Sequence, residues 1–401
     1  MSLTVQLGFT DAGVGAPFFT LDDSTKGVLD NTLYVLGGGE ALVDVTDYVR
    51  TVSIQRGKSR ELDRYDAGQA SVTFNNNNRA FDPTYLPSPF WGQIAPKRRL
   101  RVTMDSLPQF DGVIDDWSIE IDPSGISVAT AQAFGPFSKL AELELANYSP
   151  SQELSGARVN GALNNVGWPA GSRSIDTGGA TLAAQIVQDG TSVLDYLQQV
   201  SESEPGDLFG SKGGDIVFID RLQPATPSSL VFTDQGTGIP YQGISLVYGS
   251  ELLYNRITAL NEANGFTASD PYSIALYGER DLELQTLLAF DSDLEQIANY
   301  LLGTYKDPEL RFETIQVNLG AVTAQQRLDI LGLELGDIIT VELMPGQIPP
   351  VIRQLGKVIT LNYNFDPGQE SVEIGIASLQ GASFILDSDV FGILDTGVLG
   401  W

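Results

Sequence analysis

Residues 113–121 have the sequence Val-Ile-Asp-Asp-Trp-Ser-Ile-Glu-Ile, in which large apolar side chains recur at every second position. A period of two is typical of a β-strand that buries one face. The residues that strict alternation places on that face are Val113, Trp117, Ile119 and Ile121. A turn sequence at 122–125 and a second alternating run at 126–133 follow, so this part of the chain predicts neighbouring β-strands.

Alternating segments of this kind occur along most of the chain, and they predict a mainly β protein. The further predicted strands are 51–56, 69–74, 99–104, 216–220, 231–233, 245–248, 254–260, 312–319, 337–343, 357–363 and 371–377. The 42 glycines and 20 prolines supply the turns between them.

Three segments have the apolar spacing of a helix instead, and they are 155–165, 191–204 and 292–305. Thr191 or Ser192 is the predicted N-terminal cap of the second helix. Ser292 and Glu295 are predicted to form a capping box at the start of the third.

The order of these elements predicts five parts of the chain. They are an extended N-terminal arm (1–45), a first β domain (46–135), a mixed α/β insert (136–228), a second β domain with the helix at 292–305 (229–380), and a C-terminal tail (381–401). The predicted fold class is therefore mainly β, with two antiparallel β-barrel or sandwich domains that flank an α/β insert.

The sequence contains no histidine and no cysteine. Histidine is the usual general base near neutral pH and a common metal ligand, and cysteine supplies thiolate nucleophiles and structural zinc sites. Catalytic triads, Cys–His dyads, zinc fingers and iron–sulfur sites are therefore excluded. Carboxylate pairs such as Asp115 with Asp116 remain, but 51 acidic residues place many carboxylates side by side on a solvated surface. The sequence favours a structural or binding protein and predicts no catalytic residue.

The formal net charge is −28, from 23 basic and 51 acidic residues. Such a charge opposes nucleic-acid binding, because phosphate recognition needs many lysine and arginine contacts. One basic cluster, Lys97-Arg98-Arg99-Leu100-Arg101, interrupts this pattern. Alternation places Arg99 and Arg101 on the same face of a strand, where they either form a solvated face or contact an acidic neighbouring subunit.

Residues 19–30 and 384–395 share six identities at the same spacing. We interpret them as two similar docking strips, although coincidence in a sequence rich in Leu, Asp and Gly is the alternative. The apolar anchors predicted for these interfaces are Phe19, Leu21, Leu29, Phe384, Leu386 and Leu394. The second copy also resembles half of a calcium loop, but Val398 stands where the bidentate glutamate is needed. The sequence therefore predicts neither a metal site nor a cofactor.

Several segments in order resemble one known family. The segments are Asp44-Val-Thr-Asp-Tyr-Val-Arg-Thr-Val-Ser-Ile-Gln-Arg-Gly57, Ala67-Gly-Gln-Ala-Ser-Val-Thr-Phe-Asn75, Arg79-Ala-Phe-Asp-Pro83, Phe110-Asp-Gly-Val-Ile-Asp-Asp-Trp117, Gly214-Asp-Ile-Val-Phe-Ile-Asp-Arg221, Tyr254-Asn-Arg-Ile257, Ser273-Ile-Ala-Leu-Tyr-Gly-Glu-Arg280 and Leu335-Gly-Asp337. Together they resemble minor tail proteins of long-tailed phages, of the tail-hub or baseplate-hub type.

The resemblance implies a structural virion protein at the tail tip that is synthesised in the host cytoplasm. It implies two tail-tube-like β domains per chain and assembly as a homotrimer, so that six domains form a ring that continues the tail tube. The partners it implies are the tube, distal tail, tape-measure and tip or spike proteins, with DNA passing through the lumen without specific binding. We expect the lumen-facing residues to be acidic, because an acidic lumen would repel DNA.

Two other classes of function stay open at this stage. The first is a receptor- or carbohydrate-binding tail-tip protein that contacts the host envelope, motivated by Trp168, Tyr241 and the aromatic segment 81–91. The second is an envelope-degrading hydrolase that works through aspartate and glutamate.

Overall fold

The structure is a computed structural model that describes residues 2–9, 41–221, 228–366 and 368–379. The strands are β1 (Leu3–Phe9), β2 (Ala41–Asp44), β3 (Val49–Gly57), β4 (Gln69–Asn75), β5 (Arg99–Met104), β6 (Leu107–Ile121), β7 (Ser127–Phe134), β8 (Glu144–Leu145), β9 (Glu153–Leu154), β10 (Arg173–Ile175), β11 (Thr181–Leu182), β12 (Thr191–Ser192), β13 (Asp207–Gly210), β14 (Ile216–Ile219), β15 (Val231–Thr233), β16 (Gly243–Tyr248), β17 (Arg256–Leu260), β18 (Gly265–Ser269), β19 (Asp281–Gln285), β20 (Leu310–Asn318), β21 (Ile338–Leu343), β22 (Ile352–Asp366) and β23 (Gln369–Ser378). The α-helices are α1 (Pro136–Ala141), α2 (Ser155–Asn165), α3 (Val193–Ser203), α4 (Pro271–Tyr277), α5 (Asp291–Tyr305) and α6 (Ala324–Gly332). The mainly β fold predicted from the sequence is confirmed.

One large sheet contains thirteen of these strands. Its order is β16-β20-β23-β22-β3-β4-β7-β6-β5-β1-β2, with β21 beside the first half of β22 and β15 beside β21. All of its strand pairs are antiparallel except β15 with β21. Among the described residues this sheet does not close on itself, so the predicted barrels are not formed. The two described ends of the predicted arm, β1 and β2, are strands of this sheet rather than a separate extension.

Two groups of five strands within the sheet have the same order. The first five-strand set is β3-β4-β7-β6-β5, and the second five-strand set is β16-β20-β23-β22-β21. The long strands β6 and β22 are each 15 residues long, and each pairs with the preceding strand through its first half. Each also has a register shift near its middle, at Asp115 in β6 and at Ile359 in β22. The two sets can therefore be compared residue by residue from their registers.

The two sets join edge to edge through β22 and β3, and we call this contact the junction. Six residue pairs form it, from Thr360 opposite Gly57 to Phe365 opposite Val52. Gly57 has φ of +124°, and a Cβ there would lie 2.1 Å from the carbonyl oxygen of Ile359. Since an L-residue both disfavours that conformation and lacks the space, the close approach of the two sets requires glycine.

The register shift in β6 changes the face that the sequence pattern predicts for one residue. Ile114 lies opposite Ala133 and Trp117 lies opposite Ala131, so these two side chains share the buried face. Val113 is displaced to the other face, because the extra residue Asp115 breaks the alternation. The prediction that Val113 shares a face with Trp117 is therefore wrong.

The three predicted helices are present, as α2, α3 and α5. Ser192 caps α3 by accepting a hydrogen bond from the Asp195 amide at 3.4 Å. The capping box predicted for Ser292 and Glu295 is wrong, because α5 begins at Asp291 and leaves Ser292 inside the first turn. A capping box is formed instead by Thr323 and Gln326 at the start of α6.

The remaining elements pack against the large sheet or form small sheets of their own. Helices α2 and α3 pack together in the insert beside the three-stranded sheet β10-β14-β13. Helix α5 lies across the three-stranded sheet β18-β17-β19, which follows β16 in the chain. None of the helices in the described part of the chain has the length and apolar character that crossing a bilayer requires.

Candidate functional surface

One face of the large sheet is polar from the second five-strand set to the first. A row of directly opposed residues crosses seven strands on this face. Its members are Asn318, Ser371, Asn364, Ser53, Ser71, Gln132 and Asp116. Each of these residues is partly or fully exposed. We call the face that contains this row the polar face.

A second row runs beside the first, across the same strands. Its members are Gln316, Glu373, Asn362, Gln55, Gln69, Phe134 and Val113. Glu373 accepts hydrogen bonds from Gln316 Nε2 at 3.1 Å and from Asn362 Nδ2 at 3.3 Å. These bonds cross three strands and hold the polar side chains in fixed positions.

The charges in these two rows are few and of one sign. Asp116 and Glu373 are the ionisable residues among the fourteen, and neither row contains lysine or arginine. Serine, asparagine and glutamine fill most other positions. A face of this composition offers hydrogen bonds to water and little attraction to phosphate, because strong phosphate binding needs cationic side chains.

The polar face has a cleft where the two sets meet. A cleft of about 790 Å³ lies there, lined on the sheet by residues such as Gln55, Asn362 and Glu373. At one end the cleft reaches charged loops, where Arg60 Nε and Glu251 Oε1 are 2.9 Å apart. The cleft therefore lies at the Gly57 end of the junction, on the polar face.

The opposite face of the same strands forms the core. Tyr363 and Phe365 of β22 and Val52 and Ile54 of β3 are each no more than 3% exposed. The rings of Tyr363 and Phe365 are stacked, with centroids 5.7 Å apart. The sheet is thus apolar on one side and polar on the other, across the junction as well as within each set.

A buried group of charges ties the insert to both sets. Asp207 Oδ2 lies 2.7 Å from Lys357 Nζ, and Asp207 Oδ1 lies 3.5 Å from Lys58 Nζ. Burial alone would raise the pKa of Asp207, but the two ammonium groups outweigh it and hold the pKa below its usual value. Because Lys58 follows β3 and Lys357 belongs to β22, Asp207 of the insert connects the two sides of the junction.

A second buried group of charges lies beside the first. Arg56 Nη2 donates to the carbonyl oxygen of Gly210 at 2.6 Å and to Glu334 Oε1 at 2.7 Å. Lys212 Nζ donates to the carbonyl oxygen of Leu331 at 2.6 Å. Burial lowers the pKa of Lys212 to about 7, against the opposing effect of Glu334. These contacts fix the insert against both five-strand sets.

Arg99 and Arg101 lie on β5, as predicted, and contact the same carboxylate. Arg99 donates to Asp111 Oδ1 and Oδ2 at 2.6 and 2.7 Å, and Arg101 Nε donates to Asp111 Oδ2 at 2.9 Å. Asp111 lies on the adjacent strand β6 and is 7% exposed. The sequence pattern identified the two arginines but not this intrachain partner, because the register of β5 and β6 decides it. A role for Arg99 and Arg101 between subunits stays a prediction.

The aromatic residues that motivated a carbohydrate site have mostly structural contacts. Phe81 and Phe90 are buried, and Phe81 is stacked on Trp117 with centroids 5.8 Å apart. Trp168 Nε1 donates to the carbonyl oxygen of Ser172 at 3.2 Å. Tyr241 Oη donates to the carbonyl oxygen of Glu342 at 3.0 Å. Trp91, which is 51% exposed, is the residue of segment 81–91 with the freest aromatic surface.

Six predicted interface residues lie outside the described part of the chain. They are Phe19, Leu21, Leu29, Phe384, Leu386 and Leu394. The half calcium loop of the tail lies outside it as well. Within the described ranges, acidic side chains do not form a group of three or more that could hold a metal ion.

Comparison of the sequence with models of known protein families and with curated proteins gives no match. Comparison of the structure with solved structures gives strong matches. The tail protein from Neisseria meningitidis MC58 is 11% identical and has a TM-score of 0.61, covering 94% of this chain and 96% of that protein. The 43 kDa tail protein of prophage MuSo2 from Shewanella oneidensis is also 11% identical, with a TM-score of 0.58 over 93% of this chain and 98% of that protein.

The chain has the fold of these phage tail proteins. At this identity the likeness concerns the fold, and it extends over nearly the whole length of both proteins. The resemblance that the sequence segments indicate is thereby confirmed at the level of the fold.

Proposed function

We propose that this chain is a structural virion protein of the tail-hub type, which assembles as a trimeric ring between the tail tube and the tip complex. The observation that carries the proposal is the junction, where two sets of the same strand order join edge to edge and present one continuous polar face. A ring of three chains would repeat this arrangement six times around its axis. The fold of the two similar tail proteins supports the same role.

In this ring the polar face lines the lumen. Its two rows of polar residues contain carboxylates and no cations, so they offer no strong binding site to the phosphates of a passing duplex. The overall charge of −28 adds a repulsive field. DNA therefore slides along the surface during ejection, and the protein acts as a conduit rather than as an enzyme.

The experiment that tests this role is the localisation and stoichiometry of the full-length protein. Native mass spectrometry is expected to give three copies per ring, and electron microscopy of antibody-labelled particles is expected to place the label at the tail tip. A protein that stays monomeric and labels no part of the tail would contradict the proposal. So would a ring whose lumen is lined by lysine and arginine.

Attachment to the host envelope is the alternative function, and Trp91, the most exposed aromatic residue of segment 81–91, favours it. The test is binding of the purified protein to host envelopes, compared with the variant Trp91→Ala. Retained binding in the variant, or no binding of the parent, would contradict a site at Trp91.

A further inference from the structure

Within the two five-strand sets, two strand edges lack a paired strand among the described residues. The first is the outer edge of β16, whose other edge pairs with β20. The second is the outer edge of β6 from Asp116 to Ile121, whose other edge pairs with β7. Unpaired edges expose backbone N–H and C=O groups that can pair with another chain.

The common strand order shows what these two edges correspond to. Strand β6 of the first five-strand set corresponds to β22 of the second set. Strand β3 of the first set corresponds to β16 of the second set. The register shifts at Ile359 and Asp115 align β22 with β6, so that Phe365 corresponds to Ile121. The pairs Ser53–Ser71 and Ser245–Thr314 align β3 with β16. The junction between β22 and β3 therefore has a counterpart whose two halves, β6 and β16, lie on the two far sides of the joined five-strand sets of one chain.

The two unpaired edges carry large exposed side chains, whereas the equivalent positions of the junction are buried. At the junction, Tyr363 and Phe365 are buried against β3. Their counterparts on β6, Ile119 and Ile121, are 37% and 71% exposed. On β16, Tyr248 is 68% exposed. Ile119 and Ile121 thus lie in solvent at positions whose equivalents form the core of the junction, which is typical of a surface that a partner covers. Tyr248 is equivalent to Arg56, which is 4% exposed.

We propose that the outer edge of β6 in one copy of this chain pairs, antiparallel, with the outer edge of β16 in the next copy. The contact repeats the junction between subunits, and it rests on the ring proposed above. Because the two edges are different surfaces, the contact runs head to tail and not as a two-fold dimer, and in the proposed trimer it closes into a ring. The partner is a second copy of this chain, since its edge already matches the junction in strand direction and in the positions of its apolar side chains.

The junction also fixes the register of this contact. Asn364 lies opposite Ser53, and their counterparts are Glu120 and Ser245. Glu120 of one copy is therefore opposite Ser245 of the next, and Ile121 is opposite Ile244. On the core side this places Ile119 and Ile121 against Leu246 and Ile244, which are partly buried in the isolated chain.

Paired cysteines test the register directly, because the chain has no cysteine of its own. The full-length double variant Glu120→Cys with Ser245→Cys is oxidised and analysed by denaturing gels without reductant. Most of the protein is expected to become a covalent oligomer with the mass of the native ring. The matched positive control is Ser53→Cys with Asn364→Cys, which should form a disulfide within one chain and leave its mass unchanged. Directly opposed residues of antiparallel strands lie within disulfide reach.

The off-register control is Asp116→Cys with Ser245→Cys, which moves one thiol four residues, or roughly 13 Å, along the strand. Cross-linking of this off-register pair would overturn the proposed contact and leave the tail-hub role intact. The same holds if neither pair cross-links in a protein that native mass spectrometry shows as a ring. Absence of any self-association would contradict the ring itself. A second variant, Ile121→Asp, is expected to raise the dissociation constant of the ring at least tenfold, while the urea midpoint of the dissociated monomer stays unchanged. An unaltered dissociation constant would contradict the proposal.

Discussion

The first and second five-strand sets have the same strand order, but they differ in what covers their edges. The first set has β22 paired along its edge strand β3, whereas the equivalent edge strand β16 of the second set has no such neighbour among the described residues. They also differ in the segment that follows the second strand. In the first set, Phe81 and Phe90 of the loop after β4 fill the core, and in the second set helix α6 follows β20. The comparison shows that the burial of an edge strand depends on whether another strand pairs with it, and not on its own sequence.

The largest difference between the sets is expected for a substitution on the long strands. Phe365→Ala removes a ring that is 3% exposed and stacked on Tyr363, and it should lower the free energy of unfolding by about 4 kcal/mol. Ile121→Ala, at the equivalent position of the first set, removes a side chain that is 71% exposed and should cost about 0.5 kcal/mol or less. Urea denaturation of the monomeric protein measures both. Equal losses would show that Ile121 is covered in the monomer as Phe365 is, and would contradict the exposed edge of β6.

This difference also explains why the sequence predicts the strands of the sheet but not which of their edges are covered by another strand. Alternation located nearly every strand of both sets, because the period of two depends only on which face is buried. Ile119 and Ile121 look like core residues in the pattern, just as Tyr363 and Phe365 do. Which of them is covered depends on pairing between strands more than 200 residues apart in the chain, and local spacing contains no information about such pairing.

The same limit applies to the candidate surface. Each strand shows serine, asparagine and glutamine at alternate positions, but the polar face becomes continuous only through the registers of seven strands. The cluster at 97–101 was visible in the sequence, whereas Asp111 became its partner through the pairing of β5 with β6. The bulge at Asp115 moved Val113 to the other face for a similar reason, since an inserted residue breaks the period without leaving a mark in composition.

A smaller loss is expected at the glycine that permits the junction. Gly57→Ala forces a Cβ to 2.1 Å from the Ile359 carbonyl oxygen at a φ of +124°, and it should lower the free energy of unfolding by about 3 kcal/mol. The matched control is Gly249→Ala, the equivalent position after β16, where the nearest atom to a Cβ is Val247 Cγ1 at 3.6 Å. That variant should change stability by about 0.5 kcal/mol or less. Thermal unfolding compares the two, and similar melting temperatures would contradict the close approach at Gly57.

The smallest expected effect is the pH dependence that Lys212, which contacts the second set from the insert, gives to the free energy of unfolding. Burial lowers the pKa of Lys212 to about 7, whereas a lysine in the unfolded chain has a pKa near 10.5. Between these two values the unfolded chain binds more protons than the folded one, so the contribution of Lys212 to stability rises as the pH increases. Below pH 7 both states are protonated and the full cost of the buried ammonium remains. The variant Lys212→Met should remove this rise, which amounts to about 2 kcal/mol between pH 7 and 9.

Lys139→Met is the control for that measurement, because Lys139 is exposed on α1. The free energy of unfolding of Lys139→Met should follow the parent at every pH, while the curve of Lys212→Met should be flatter. The variant should also be more stable than the parent at pH 7, since it no longer buries an ammonium group whose hydrogen bond to the Leu331 carbonyl only partly replaces water. Parallel curves for the parent and Lys212→Met would mean that Lys212 keeps its proton in the folded state, and would contradict the lowered pKa of its buried ammonium group.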